Sequence, residues 1–174
     1  PSFGGVVKRI VSEGHFIGPH SDKHLLYASW EKRDSLLVTK EEFVSDLRAN
    51  YNELQKKKVS LTGKRYYLPP YEWYNSAIAN WTASLGSKLI NFTPGTGTNA
   101  DYTTPDMQNY KSSQELYDRL KEFEASDPDG LKGALVLIHP GTHPDRTDKF
   151  YLKLEEIIAY FSAKGYTFNS LQNQ

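Results

Sequence analysis

Hydrophobic positions along the chain fall into alternating helix-like and strand-like patterns. Helical spacing and capping residues predict five helices, at about 2–13, 40–57, 72–85, 113–125 and 148–164. Short apolar runs predict five strands, at 16–17, 63–68, 89–92, 134–138 and 166–171. Strict alternation of helices and strands predicts an α/β fold of parallel βα units, as an open sheet or a barrel. At 174 residues, we expect a single domain spanning 1–174.

Local signals support several of these elements. Thr39 with Glu42, and Ser112 with Glu115, have the spacing of capping boxes at the starts of the second and fourth helices. The run 134–138 is continuously apolar, which is typical of a strand buried on both faces. Apolar positions of the last predicted helix are expected to face mostly inward; they are Phe150, Leu152, Leu154, Ile157, Ile158 and Phe161.

Composition narrows the class of partner. The 21 basic residues balance 21 acidic ones, so nothing favours nucleic acid or an anionic membrane. Twelve Tyr and three Trp would suit a sugar-binding cleft, although Tyr also fills half-buried positions. The chain has no Cys, so any metal must bind His and carboxylates. No apolar run approaches the roughly 20 residues of a membrane span, and we expect none.

Polar residues follow four of the predicted strands. In βα folds reactive groups lie at the carboxyl ends of strands, so we expect these residues to converge on one rim. His20 and His24 follow the first strand, and Tyr71 follows the second. Asp101 lies in the long loop after the third strand, and His139 comes directly after the fourth.

The histidines allow more than one interpretation. If a helix follows the first strand, His20 and His24 at i, i+4 project from one face and can hold a metal. From their spacing alone, a surface or capping role is favoured over a metal role. His139 is a candidate acid or base, or a structural histidine at a strand end. His15 precedes the strand and is interpreted as structural, while His143 is interpreted as a surface residue.

Three motifs resemble those of the NodB-homology polysaccharide deacetylases, carbohydrate esterase family 4. The stretch VVKRIVSEGHFIGPHSDKH resembles a helix followed by G-H-x-I-G-x-H-[ST]-x-x-H. Further on, YYLPPYE resembles R-P-P-Y-G, ALVLIHPG resembles L-x-L-x-H, and EIIAYFSAKGYTF is similar to the last helix and strand. The resemblance covers essentially the whole chain. It implies a partial, deformed (β/α) barrel of the polysaccharide deacetylase type with its first strand absent.

The resemblance also implies a metal site. His20 and His24 would be two of three protein ligands to a divalent metal, most often zinc, with water completing the site. The metal would acidify that water and polarise the acetamide carbonyl. The backbone N–H of Tyr71 would donate to the oxyanion of the tetrahedral intermediate.

Further roles follow from the same resemblance. His139 would protonate the departing amine. Leu137 would line the pocket for the acetyl methyl group, and Pro70 would also contact substrate.

Three departures from the family pattern bear on activity. The first motif, T-F-D-D, which supplies the general base and the carboxylate ligand, has no counterpart here. Leu68 stands where the family has Arg, and Arg65 or Glu72 would replace it only if the loop is rearranged. NFTPGTGTNADYT replaces the fourth motif, and within it Asp101 is the best candidate to tune His139.

We therefore expect a metal-dependent hydrolase that deacetylates an N-acetylated or O-acetylated polysaccharide, with this chain carrying only part of the active site. The Asp-Asp motif would come from a missing N-terminal segment or a second chain. The alternative is a non-catalytic carbohydrate-binding or structural relative, favoured by Leu68 and the missing aspartates. The resemblance also implies a location in the cell envelope or outside the cell.

Overall fold

The fold is described from a computed structural model, over residues 4–59, 63 and 65–171. The described chain divides into two compact units. Unit 1 runs up to Asn91 and includes the residues from Asn169 onward, and unit 2 is Phe92–Phe168. Each unit has its own hydrophobic core.

Short helices dominate both units. Unit 1 contains α1 (Gly4–Ser12), α2 (Lys40–Lys56), β1 (Tyr66–Tyr67), a 3₁₀ turn (Pro70–Glu72), α3 (Ser76–Ser84) and β2 (Lys88–Leu89). Unit 2 contains a 3₁₀ helix (Thr98–Tyr102), α4 (Ser113–Ser126), a 3₁₀ turn (Phe150–Lys153) and α5 (Leu154–Ala163). Within the described part of the chain, no helix is long and apolar enough to cross a membrane.

The predicted helices are confirmed, with shifted ends. Both capping boxes form: Thr39 Oγ1 accepts the Glu42 N–H at 3.2 Å, and Ser112 Oγ accepts the Glu115 N–H at 3.2 Å. The third helix starts later than predicted because the Asn75 side chain caps it by accepting the N–H of Ile78. The first predicted helix begins outside the described residues, at position 2.

The predicted strands are largely wrong. Two of the five form among the described residues: β1 and β2 pair in parallel, with Tyr66 opposite Lys88 and Tyr67 opposite Leu89. The stretches 16–17, 134–138 and 166–171 are not strands. The α/β class therefore rests here on one short parallel pair among helices.

Threonine hydroxyls bind two backbone groups of the stretch 134–138. The Leu135 N–H donates to Thr93 Oγ1 at 2.9 Å, and Leu137 O accepts from Thr98 Oγ1 at 2.7 Å. These side chains occupy backbone groups that a β-ladder would use. The prediction of burial on both faces is also wrong, since Val136 is 39% exposed.

Aromatic and aliphatic side chains fill the two cores. The unit 1 core contains Tyr27, Phe43, Leu47, Tyr67 and Ile78. The unit 2 core contains Leu116, Tyr117, Leu120, Phe150, Ile157 and Phe161. The prediction that apolar side chains of the last helix face inward holds for Phe150, Ile157 and Phe161. Leu152, Leu154 and Ile158 are exposed instead. The segment starts as a 3₁₀ turn, which changes the rotation per residue and so redirects its apolar positions.

Candidate functional site

The His20 and His24 side chains meet in unit 1. Their ring centroids are 5.2 Å apart, with an angle of 66° between the ring planes. The helix on which the prediction depended does not form, because Ser21 and His24 have φ angles of 75° and 53°. A loop therefore brings the two imidazoles together.

One hydrogen bond fixes the tautomer of His20. Its Nδ1 lies 2.9 Å from the carbonyl oxygen of Leu68, and a carbonyl can only accept, so Nδ1 carries the proton. Nε2 then keeps its lone pair for a metal, and such a contact from the other ring nitrogen is usual for metal-binding histidines. The His20 backbone N–H is also held, by Asn50 Oδ1 at 2.9 Å.

Asp46 of α2 organises the histidine loop, and sequence reasoning missed it. Its side chain is 3% exposed and accepts three hydrogen bonds: from Ser21 Oγ (2.5 Å), the Lys23 N–H (2.8 Å) and the Tyr27 hydroxyl (2.7 Å). Ser21 Oγ in turn accepts the N–H of His24 at 2.9 Å. The sequence held one signal of its burial: Asp46 is three positions after Phe43 and one position before Leu47, and both of those residues face inward.

The environment of His24 favours its neutral form. Loss of water around the ring lowers its pKa below the ordinary value, and the charge of His20 lowers it further. A neutral imidazole is the form that binds metal. His24 also lies edge-on to Tyr71, with 4.6 Å between ring centroids.

The two histidines alone do not make a complete metal site. Over residues 4–59, 63 and 65–171, no three His, Asp or Glu side chains cluster so that they could hold a metal ion. Two imidazoles fit zinc, which takes nitrogen ligands in a four-coordinate site. The remaining coordination positions of such a site would have to be filled by other ligands.

The Pro-Pro-Tyr stretch forms a strained turn. Tyr71 and Glu72 have φ angles of 58° and 52°, values that cost of order 1–2 kcal/mol each for residues other than Gly. The amides of Glu72 and Trp73 donate to the carbonyls of Pro69 and Pro70, at 3.1 and 3.3 Å. The Tyr71 amide takes no part in these two bonds.

Backbone strain is concentrated around the histidine pair. Five described residues other than Gly have positive φ, and four of them are Ser21, His24, Tyr71 and Glu72. Such conformations persist where surrounding structure holds them, and they cluster at functional sites. This clustering points to the same part of unit 1 as the histidines.

In unit 2, His139 is paired with a buried carboxylate. Asp101 is fully buried in the 3₁₀ helix; its Oδ1 accepts from His139 Nδ1 at 2.6 Å and its Oδ2 accepts the His139 N–H at 2.7 Å. These two bonds orient the ring of His139. Thr98 Oγ1 fixes the preceding segment by donating to the Leu137 carbonyl.

The remaining candidates lie elsewhere. His15 and His143 are exposed, and their nearest acidic partners are Glu13 at 3.9 Å and Asp145 at 3.6 Å. Pro70 is buried and Leu137 is half-buried. Arg65, considered as a replacement for the Arg at position 68, is exposed and lines a cleft along α2.

Comparison with known proteins gives similarity in structure only. No protein-family model matches the chain, and no curated protein matches it. Among solved structures, BA3943, a CE4 family pseudoenzyme from Bacillus anthracis, matches with a TM-score of 0.68 and 17% identity. That match covers 98% of this chain and 50% of the other, so the chain spans about half the length of BA3943.

Two further structures extend the comparison. A BA3943 mutant described as having restored enzymatic activity matches with a TM-score of 0.68 and 16% identity, covering 98% of this chain and 52% of the other. The Bc1960 peptidoglycan N-acetylglucosamine deacetylase matches with a TM-score of 0.72 and 18% identity, covering 98% of this chain and 68% of the other. The predicted resemblance is confirmed at the level of structure: the chain has the fold of the CE4 deacetylases.

Proposed function

We propose that the protein is a metal-dependent hydrolase that removes acetyl groups from an N-acetylated or O-acetylated polysaccharide. The observation that carries the proposal is the pairing of His20 and His24, with His20 Nδ1 held by Leu68 so that Nε2 remains a ligand. The fold shared with a peptidoglycan N-acetylglucosamine deacetylase supports the substrate class. The proposal includes the wider architecture, in which β1 and β2 belong to a partial, deformed (β/α) barrel.

In this proposal unit 1 binds the metal and the acetyl group. His20 and His24 hold a divalent metal, most often zinc, together with ligands from outside this pair. When bound, such an ion lowers the pKa of its water and polarises the acetyl carbonyl. The Tyr71 amide donates to the developing oxyanion, and Pro70 contacts substrate beside it.

Unit 2 contains the candidate proton-transfer group, His139. Asp101 accepts a hydrogen bond from His139 Nδ1, which orients the ring and stabilises its protonated form. The family resemblance implies that His139 would protonate the departing amine and that Leu137 would line a pocket for the acetyl methyl group. In this proposal the general base is a carboxylate supplied from outside this chain. The proposed location is the cell envelope or outside the cell.

Metal binding is the first test. Zinc uptake is measured by equilibrium dialysis on protein made from the complete coding sequence, for wild type and for a His20→Ala, His24→Ala double variant. The matched control is His15→Ala, His143→Ala, which also removes two histidines, both exposed. We expect zinc to be lost only from the first double variant. Equal uptake by both double variants would overturn the proposal.

Catalysis is the second test. Release of free amine from chitohexaose is followed for the same proteins. We expect turnover in wild type and in the His15, His143 control, and a loss of at least about 100-fold when the proposed ligands are removed. Full activity without His20 and His24 would contradict the metal mechanism.

A second function is a non-catalytic, carbohydrate-binding relative. Two observations favour it: no three-residue metal cluster occurs within the described ranges, and Leu68 occupies the position of the family's Arg. The similarity to BA3943, itself a pseudoenzyme, gives this alternative the same structural support. Zinc binding without release of acetate from chitohexaose or from acetylated xylan would favour it over the hydrolase.

A further inference from the structure

A run of aromatic rings continues from the histidine pair across unit 1. Ring centroids lie 4.6 Å apart between His24 and Tyr71, 5.9 Å between Tyr71 and Trp30, and 5.1 Å between Trp30 and Trp73. The two indole planes are inclined by only 34°. We call Tyr71, Trp30 and Trp73 the aromatic platform.

Polar contacts hold Trp73 in place within the platform. The indole N–H of Trp73 donates to the Ser29 carbonyl at 3.2 Å, and the Arg33 guanidinium lies 4.3 Å from the Trp73 ring centre. Arg33 Nε donates to the Tyr74 carbonyl at 2.7 Å. These bonds join the segments 29–33 and 73–74 to each other. The platform is therefore fixed before any ligand arrives, which lowers the entropy cost of binding.

The platform leaves much aromatic surface in water. Trp30 is 55% exposed and Tyr71 is 46% exposed, although both rings would gain free energy from burial. Flat rings with one polar atom suit a ligand that has an apolar face and a polar rim. A pyranose ring has this form, with axial C–H groups on its faces and hydroxyl groups around its edge.

The charge of the surroundings favours an uncharged sugar. The chain as a whole has equal numbers of acidic and basic residues. The Arg33 Nε donor is already used by the Tyr74 carbonyl. The balanced charge of the chain is the reason for choosing an uncharged glycan.

We propose that the aromatic platform binds a pyranose unit of an uncharged glycan, next to the unit that is handled at His24. This rests on the proposed function in that it supplies a second sugar position for the same polymer. Each step along the ring run is comparable with the length of one sugar residue. Because the platform and His24 would bind different sugar units, binding should depend on chain length.

The test is calorimetric titration of the complete protein with chitohexaose and with cellohexaose, which carries no acetyl group. Trp30→Ala removes the most exposed ring of the platform. Leu37→Ala is the control, because Leu37 lies in the same unit, is also 55% exposed and is outside the ring run. Trp30→Phe keeps an aromatic face, and circular dichroism checks that each variant is folded.

We expect Trp30→Ala to weaken binding of both hexasaccharides by roughly 10-fold, equivalent to about 1.4 kcal/mol. Trp30→Phe should stay within about 3-fold of wild type and Leu37→Ala within about 2-fold. N-acetylglucosamine itself should bind all four proteins equally. Unchanged hexasaccharide binding by Trp30→Ala, or an equal loss in Leu37→Ala, would refute the platform, and so would failure of wild type to bind either hexasaccharide at millimolar concentration.

A fifth protein separates this inference from the proposed function. In the His20→Ala, His24→Ala background, which should lose zinc and amine release, Trp30→Ala should still weaken cellohexaose binding by roughly 10-fold. If amine release never occurs but cellohexaose binding still depends on Trp30, the platform stands and the hydrolase proposal fails. If amine release depends on the histidines but Trp30 has no effect on either sugar, only the platform fails.

Discussion

Replacing Asp46 with Ala removes a buried carboxylate that accepts hydrogen bonds from Ser21, Lys23 and Tyr27. Hydrogen bonds to a charged acceptor contribute about 1.5–3 kcal/mol each. The bonds from Ser21 and Lys23 are only partly buried, so their donors can return to water. The buried Tyr27 hydroxyl keeps a contact with the Tyr67 hydroxyl at 2.7 Å.

The net loss is smaller than the sum of three bonds. Removing the carboxylate also relieves the free energy cost of keeping a charge out of water, which offsets part of the loss. We therefore expect unit 1 to lose about 3 kcal/mol of unfolding free energy. Asp46→Asn should lose less, because its amide oxygen still accepts.

Urea unfolding followed by tryptophan fluorescence measures this loss, because Trp30, Trp73 and Trp81 all lie in unit 1. For an m value near 2 kcal/mol per molar urea, a loss of about 3 kcal/mol lowers the midpoint by about 1.5 M. Asp22→Ala is the control, since Asp22 is exposed in the same loop, and it should change stability by less than about 0.5 kcal/mol. A loss below about 1 kcal/mol for Asp46→Ala would refute the role assigned to this carboxylate.

Three further outcomes are expected. Asp101→Asn removes the charge that orients His139, so kcat for amine release should fall at least about 100-fold while KM changes little; an unchanged kcat contradicts the pairing. Burial raises the pKa of Tyr67, so its contribution to stability is complete below about pH 10, the pKa of an exposed Tyr, and is lost as pH rises above it. Unfolding free energy from pH 8 to 11.5 should therefore fall more steeply in wild type than in Tyr67→Phe, and parallel curves would disprove this. Thr39→Ala should lower the free energy of unfolding by about 1 kcal/mol, because it removes the N-cap of α2. An unchanged free energy in urea unfolding would contradict the role of this cap.

Helices were predictable because their signals are local. The capping boxes at Thr39 and Ser112 are each contained in four residues, and both form. Strands depend on partners distant in sequence. The apolar run 134–138 looked like a central strand, but its backbone is bonded by Thr93 and Thr98, about 40 residues away. Hydrophobicity alone carries no information about such distant contacts.

The sequence motifs predicted which residues form the candidate site, but they did not predict its geometry. The spacing of His20 and His24 suggested a helix, whereas positive φ angles in a loop bring the rings together. Asp101 was chosen for His139 from its place in a long loop, and the two side chains do meet. Asp46 could not be recognised, because its partners become neighbours only when α2 packs beside the histidine loop.

The most direct test of the central claim is a zinc-edge anomalous difference map of crystals of the protein, made from its complete coding sequence and grown with zinc. A zinc peak is expected about 2.0–2.1 Å from His20 Nε2, with His24 as a second ligand, because His20 Nδ1 is occupied by the Leu68 carbonyl. A peak bound to His20 Nδ1, a peak at His15 or His143 alone, or no peak at the pair would contradict the account.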